Sequence, residues 1–318
     1  TAGRAAPAAV APSPVPATPT PRKMEKIVVA VPTTGFTDIC LVVGDIKGFY
    51  KDEGLEIERP VIASDVAIKA MVGGEVDYTT SWGSSIRASV QGIPIKAVVA
   101  ELDKTPHILV TRPEIKAVAE LRGKKIGVAS IGGSVDVLAR VALRKAGVDP
   151  DKEVTMIAIP DSATRLVSVK TGVIDGSVID PAFAMAAEKE GLSLLVRFRD
   201  ILDIAMSGLI TTDKKIKENP DQVMRAVRAT VKSCKYVKDP RNRAEMVKLM
   251  ATEFKLGEDV AQRTYDLAID TVSEDGIARE EAVQTDVDLS RERLAKVEQV
   301  PLSQVIDYSF VRRLKEGR

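Results

Sequence analysis

The sequence predicts an α/β protein of two lobes, each a mainly parallel sheet flanked by helices, with two hinge crossovers and a helical C-terminal part. Three observations predict it. First, a strand, loop and helix unit occurs twice. Lys26-Ile27-Val28-Val29-Ala30-Val31 corresponds to Lys125-Ile126-Gly127-Val128-Ala129-Ser130, each a β-rich run leading into a loop with Gly and Ser or Thr. Second, Val61-Ile62-Ala63-Ser64 corresponds to Ile157-Ala158-Ile159-Pro160-Asp161-Ser162. The helix after Ser64 or Ser162 stops at Gly74 or Gly172, at the same spacing from its serine. Third, the pattern beyond Asn219 is helical throughout. Strands separated by helices need crossover connections, which is why each sheet is expected to be mainly parallel.

Each element has a local cause. Asp38 is a plausible N-cap for a helix whose Ile39, Val42, Val43 and Ile46 share one face, with Gly54 as its stop signal. Gly74-Glu75-Val76-Asp77 and Gly172-Val173-Ile174-Asp175 close one helix and open the next strand. Ser134 is expected to cap a helix carrying Val135, Leu138, Val141 and Ala142, with Arg144 and Lys145 in its last turn and Gly147 beyond it. Asn219-Pro220 starts a helix with Val223, Met224, Val227 and Val231. Asp239-Pro240 starts another with Val247, Met250, Ala251 and Phe254. Further helices are expected over 258–271 and 279–296. Crossings near 101–108 and 203–209 divide the chain into a discontinuous first lobe, 24–104 with 206–318, and a second lobe, 105–205.

Residues 1–23 are mostly Ala, Pro and Thr and read as an extended, solvated tether. The start without Met fits a trimmed chain whose targeting segment is gone; an extraneous tail or the tail of a cytosolic protein are the alternatives. The composition narrows the chemistry. Lys and Arg number 46 against 45 Asp and Glu in 318 residues, so no net field favours nucleic acid or anionic lipid. One histidine, His107, and two cysteines, Cys40 and Cys234, argue against a zinc site and leave a histidine triad with one candidate base. The two cysteines are either free and buried or bonded to each other. No apolar run approaches the ~18–20 residues a bilayer requires.

Ligands of parallel α/β sheets gather beyond the carboxyl ends of the strands, where helix N-termini present N–H groups. Ser130-Ile131-Gly132-Gly133-Ser134 stands out, because two glycines before a helix can form an anion-binding nest or a simple tight turn. Gly133-Ser134 replaces the Lys-Ser/Thr pair of a P-loop, so nucleotide hydrolysis of that kind loses its phosphate-contacting lysine. Trp82, in Ser81-Trp82-Gly83-Ser84-Ser85, either walls a ligand site or packs under a loop, and Phe36 has the same two readings. Asp38 and Asp180 read first as cap and turn residues. His107 lies at a crossing and reads as structural or hinge-forming, since no G-x-S-x-G motif accompanies it. No pair of carboxylates announces acid and base work, so no catalytic residue, metal or cofactor is assigned.

Gly48-Phe49-Tyr50-Lys51-Asp52-Glu53-Gly54-Leu55-Glu56-Ile57-Glu58, then 67–77, then Gly92-Ile93-Pro94-Ile95-Lys96, resemble the solute-binding proteins of nitrate, sulfonate and taurine ABC importers. The likeness continues through 121–128 and 143–148 and ends at Asp307-Tyr308-Ser309-Phe310. It implies a two-lobed periplasmic-binding fold that closes by hinge motion on a small organic or anionic solute. It further implies an extracytoplasmic monomer, periplasmic or anchored through a removed lipid-bearing segment, that delivers to an ABC permease. The ligand shell implied by position is Gly35, Phe36, Thr37, Asp38, Ser81, Trp82, Ser84, Ser130, Gly132, Gly133, Ser134, Asp161 and Asp180. Those loops offer no arginine, although Arg165 stands close after Asp161. The rival reading is an enzyme of the same fold in thiamine-pyrimidine or menaquinone-type biosynthesis. A regulator's sensor domain would need a helix-turn-helix, which neither end contains.

Overall fold

The computed structural model describes residues 24–317, so the proposed tether lies outside the described residues. The first five-stranded sheet has the order β2-β1-β3-β10-β4. Its strands are β1 (Glu25–Ala30), β2 (Leu55–Glu58), β3 (Tyr78–Thr79), β4 (Ile95–Leu102) and β10 (Ser207–Thr212). The second has the order β7-β6-β8-β5-β9. It comprises β5 (Ile108–Thr111), β6 (Lys125–Val128), β7 (Thr155–Ala158), β8 (Gly176–Ile179) and β9 (Ser193–Arg197). β1 pairs in parallel with β2 (Val28 opposite Glu58) and β3; β6 does the same with β7 (Val128 opposite Ala158) and β8.

One strand in each sheet runs the other way. β10 is antiparallel to β3 and β4, and β5 is antiparallel to β8 and β9. Four strands of each sheet therefore share a direction, as expected, while half of the pairings are antiparallel. The reversed strand is in each case the one delivered by a crossing, since the chain passes from β4 to β5 and later from β9 to β10.

The helices alternate with the strands: α1 (Ile39–Ile46), α2 (Phe49–Asp52), α3 (Ser64–Gly73), α4 (Trp82–Val90), α5 (Ser134–Lys145), α6 (Ser162–Lys170) and α7 (Pro181–Lys189). The C-terminal part adds α8 (Asp213–Glu218), α9 (Pro220–Lys238), α10 (Arg243–Glu253), α11 (Glu258–Ala268), α12 (Glu280–Arg293), α13 (Leu302–Val305) and α14 (Ser309–Lys315). None of the described helices is long and apolar enough to cross a membrane. α9 packs on α1 and β4, and α12 on α4, all around the first sheet. α11 packs on α7 of the second, where Val260 joins Ile108, Val110 and Ala184 in one apolar cluster. A larger core runs from Phe36, Ile39 and Cys40 through Ile126, Val128 and Val178 to Met246 and Tyr265, so both sheets share it.

Four local expectations change. The helix after Asp38 does not reach Gly54: Gly48, at φ 73°, takes the left-handed conformation that interrupts it and separates α1 from α2. Ile46, expected on its buried face, is 47% exposed in the last turn before that break. Ser134 is the first residue of α5 and Gly133 occupies the cap position, where no side chain bonds the helix end. Asp239-Pro240 opens a 3-10 turn, and the α-helix proper begins at Arg243. Cys40 and Cys234 form a disulfide that ties α1 to α9, with Cα atoms 4.9 Å apart, inside the range such a bond spans.

Candidate functional site

The strands of both sheets end toward one cavity. From the first sheet come Pro32, Thr33, Thr37 and Asp38 after β1, Ser64 at the start of α3, and Thr80, Ser81, Trp82, Gly83 and Ser84 after β3. From the second come Ala129, Ser130, Gly133, Ser134 and Val135 after β6, and Arg165 from α6. His107, Met206 and Ser207 line it from the two crossings. The fold thus brings Thr37, Asp38, Ser81, Trp82, Ser84, Ser130, Gly133 and Ser134 together around one space.

The other shell candidates stand behind the wall. Phe36 is fully buried in the shared core. Asp161 caps α6, accepting from Thr164 N at 2.7 Å and Thr164 Oγ1 at 2.9 Å. Asp180 caps α7 through Ala182 N at 3.0 Å and reaches across to the loop after β1, where Phe36 N and Thr37 N each donate to it at 3.1 Å. Gly35 is required there, because a Cβ would lie 2.7 Å from the Asp180 carboxyl carbon. The anion nest expected at Gly132 and Gly133 is also occupied from within. Gly132 N donates to Asp136 Oδ2 at 2.8 Å and Gly133 N to Ser130 O at 3.2 Å. Asp136 is held in turn by Arg140 at 3.0 Å and Arg293 at 3.4 Å. Gly132 therefore does not offer its N–H to a ligand.

The halves touch where α4 and α5 begin. Gly83 N donates to Ser134 Oγ at 3.0 Å, and a side chain at Gly83 would press on the Ser134 backbone. The Trp82 residue lines the cavity, yet its ring is enclosed. It is 1% exposed, its Nε1 donates to Asp286 Oδ2 at 2.9 Å, and Gly208 on β10 leaves room for it.

The electrostatics follow from burial. Asp38 is 3% exposed; desolvation pushes its carboxyl up to about 7, with Asp180 adding and Thr80 and Arg59 opposing. Thr80 Oγ1 donates to Asp38 Oδ1 at 2.6 Å, while Oδ2 has no partner. The hydroxyl of Thr33 is likewise buried and unpaired. Glu101, at the end of β4, is pushed up to about 8 by burial and then by Asp38; Ser207 Oγ donates to it at 3.3 Å. His107 is held down to about 3 by burial and then by Arg165, so it is neutral. Arg165, lowered to about 10 by burial, donates to Ile159 O at 2.7 Å, Pro160 O at 2.6 Å and Ser162 Oγ at 2.7 Å, leaving only Nε unpaired.

Thr33 and Thr80 open two of the loops that the strand-end rule marks, and both line the cavity. Sequence reasoning did not single out Ser64, Met206, Ser207 or Glu101 as site residues. Ser207 and Glu101 acquire their place only when the crossings are folded against each other. His107, read as structural, is buried at a crossing and borders the cavity as well.

Residues 36–243 match the family model described as NMT1/THI5 like. A riboflavin-binding protein, RibY, of Chloroflexus aurantiacus is 26% identical over 193 residues, 58% of this chain and 54% of the relative. The chain spans about half the length of the curated relatives it matches. Among solved structures, a protein of Bordetella bronchiseptica RB50 superposes with a TM-score of 0.81 at 21% identity, covering 92% of this chain and 97% of that one. The alkanesulfonate-binding protein SsuA of Xanthomonas axonopodis pv. citri, bound to MOPS, gives 0.74 at 16% identity, with 90% and 99% covered. These likenesses establish the two-lobed periplasmic-binding fold.

Proposed function

The chain belongs to the NMT1/THI5-like family, and from that premise we propose that it captures a small solute between its two halves and delivers it to the permease of an ABC importer. One observation carries this reading. A single cavity is walled by loops of both sheets and by both crossings, and it holds buried polar atoms that nothing in the protein satisfies. Groups of that kind are costly to leave unmet, so a ligand that pairs them favours the closed arrangement. The relatives named for riboflavin and alkanesulfonate binding support a binding role.

Binding without conversion fits the chemistry of the lining. Both cysteines are bonded to each other, and the one histidine is neutral and buried, with Thr105 Oγ1 3.5 Å from its Nδ1. Neither a thiol nor a titrating imidazole stands ready at neutral pH. The disulfide supports a location outside the cytoplasm, where such bonds persist.

A thermal-shift panel of sulfonates, nitrate, carboxylates, pyrimidines, amines and riboflavin, followed by X-ray scattering with each hit, tests the reading. A ligand at a hundred times its Kd is expected to add about 2.7 kcal/mol of stability. It should also reduce the radius of gyration and be recovered unchanged. A verified ligand that causes no compaction, or no hit in the whole panel, overturns the proposal.

A further inference from the structure

We infer that the solute presents a protonated nitrogen to the unpaired oxygen of Asp38, so that the site selects an amine-bearing molecule over a simple anion such as nitrate or an alkylsulfonate. The inference rests on the solute-binding reading and names its ligand class.

In two loops beside this cleft, backbone N–H groups are already taken by carboxylates of the protein. Asp180 takes Phe36 N and Thr37 N after β1, and Asp136 takes Gly132 N after β6. The cationic side chain in the lining, Arg165, has both terminal nitrogens on Ile159 O, Pro160 O and Ser162 Oγ. Among the buried side-chain atoms of the lining, Arg165 Nε and the Thr33 hydroxyl have no partner, and neither has Asp38 Oδ2, which when ionised can only accept. An ammonium carries several N–H donors and no acceptor, which suits that carboxylate oxygen. Meeting a buried carboxylate, it forms the stronger, charge-assisted kind of hydrogen bond. An added anion would instead face Asp38 with Asp180 and Glu101 close enough to act on it.

Proton linkage separates the two cases. Ionisable groups acting on Asp38 are Asp180 at the end of β8, Glu101 on β4 and Arg59 beyond β2; His107 and Arg165 also border the cavity. A carboxyl titrating at about 7 is only roughly one-tenth ionised at pH 6 and nine-tenths at pH 8. An ammonium therefore binds more tightly as pH rises through that range, and an anion less tightly.

The test is calorimetric titration of the native chain with nitrate, ethanesulfonate, ethanolammonium and 2-aminoethanesulfonate at pH 6 and pH 8. The amine-bearing probes are expected to bind, about tenfold more tightly at pH 8, while nitrate and ethanesulfonate do not. Asp38→Asn, an isostere that still accepts from Thr80, should weaken amine binding at least ~10-fold at pH 8 and abolish the pH slope. Nitrate or ethanesulfonate binding as well as 2-aminoethanesulfonate, affinity falling with pH, or silence from all four probes each overturns the inference. The solute-binding reading falls only if the wider panel fails too, so the two failures are distinct.

Discussion

The loops after β1 and after β6 occupy equivalent places in two sheets of one topology, and both end in the N-terminus of a helix. They differ in where their counter-charge originates. After β6 the carboxylate is Asp136, four residues beyond Gly132 on α5 itself, and Arg140 and Arg293 hold it in place. After β1 it is Asp180, which is 144 positions away and belongs to the other sheet. The bonds of Gly132 N and Arg140 to Asp136 are local and persist however the halves move, while Arg293 reaches Asp136 from α12, beside the first sheet. The Asp180 bonds exist only while the halves are together. A hinge motion consequently breaks the Asp180 contacts on the β1 side, whereas on the β6 side it leaves the Gly132 and Arg140 bonds to Asp136 intact and gives up Arg293 and the Gly83–Ser134 bond.

This contrast can be broken at three points. The largest effect is expected from Asp136→Ala, which leaves Arg140 and Arg293 without their buried partner and frees Gly132 N. Urea unfolding should show a loss of about 3–5 kcal/mol. Asp180→Ala should cost less, about 1–3 kcal/mol for the buried N–H groups it abandons. Its distinctive signature is in scattering: the unliganded protein should become more open. An unchanged radius of gyration would show that Asp180 only caps α7. The third effect concerns pH. Glu101, at the crossing, is raised from an ordinary 4.5 to about 8, so its folded state holds a proton that the unfolded chain releases. The stability it contributes is complete below its ordinary value and is lost as pH rises through about 8. The melting temperature should fall between pH 5 and pH 9, and Glu101→Gln should flatten that fall.

Much of the molecule is written locally. The matched runs at Lys26 and Lys125 become β1 and β6, the central members of parallel triplets, because alternation of short β-rich runs with helices leaves few other topologies. Pro220 opens α9 because its missing N–H is harmless in a first turn. The Gly132-Gly133 turn was legible as a turn, and the aspartate four residues on was visible as well. Its consequence was missed because a glycine-rich loop before a helix looks the same whether its N–H groups await a ligand or are already bonded. Trp82 shows the same limit: an indole at a strand end is compatible with cavity or core, and Asp286, 204 residues away, decides in favour of the core for its ring.

The order of strands and helices, the doubled plan and the loops that face the cavity follow from periodicity, capping chemistry and glycine placement, all of which act over a few residues. Which carboxylate is satisfied and which is left open depends on partners brought from the opposite sheet or the C-terminal helices. Asp38 is an ordinary helix-start aspartate in the sequence. It becomes the unpaired acid of a cavity because tertiary packing buries it and gives a partner to only one of its oxygens.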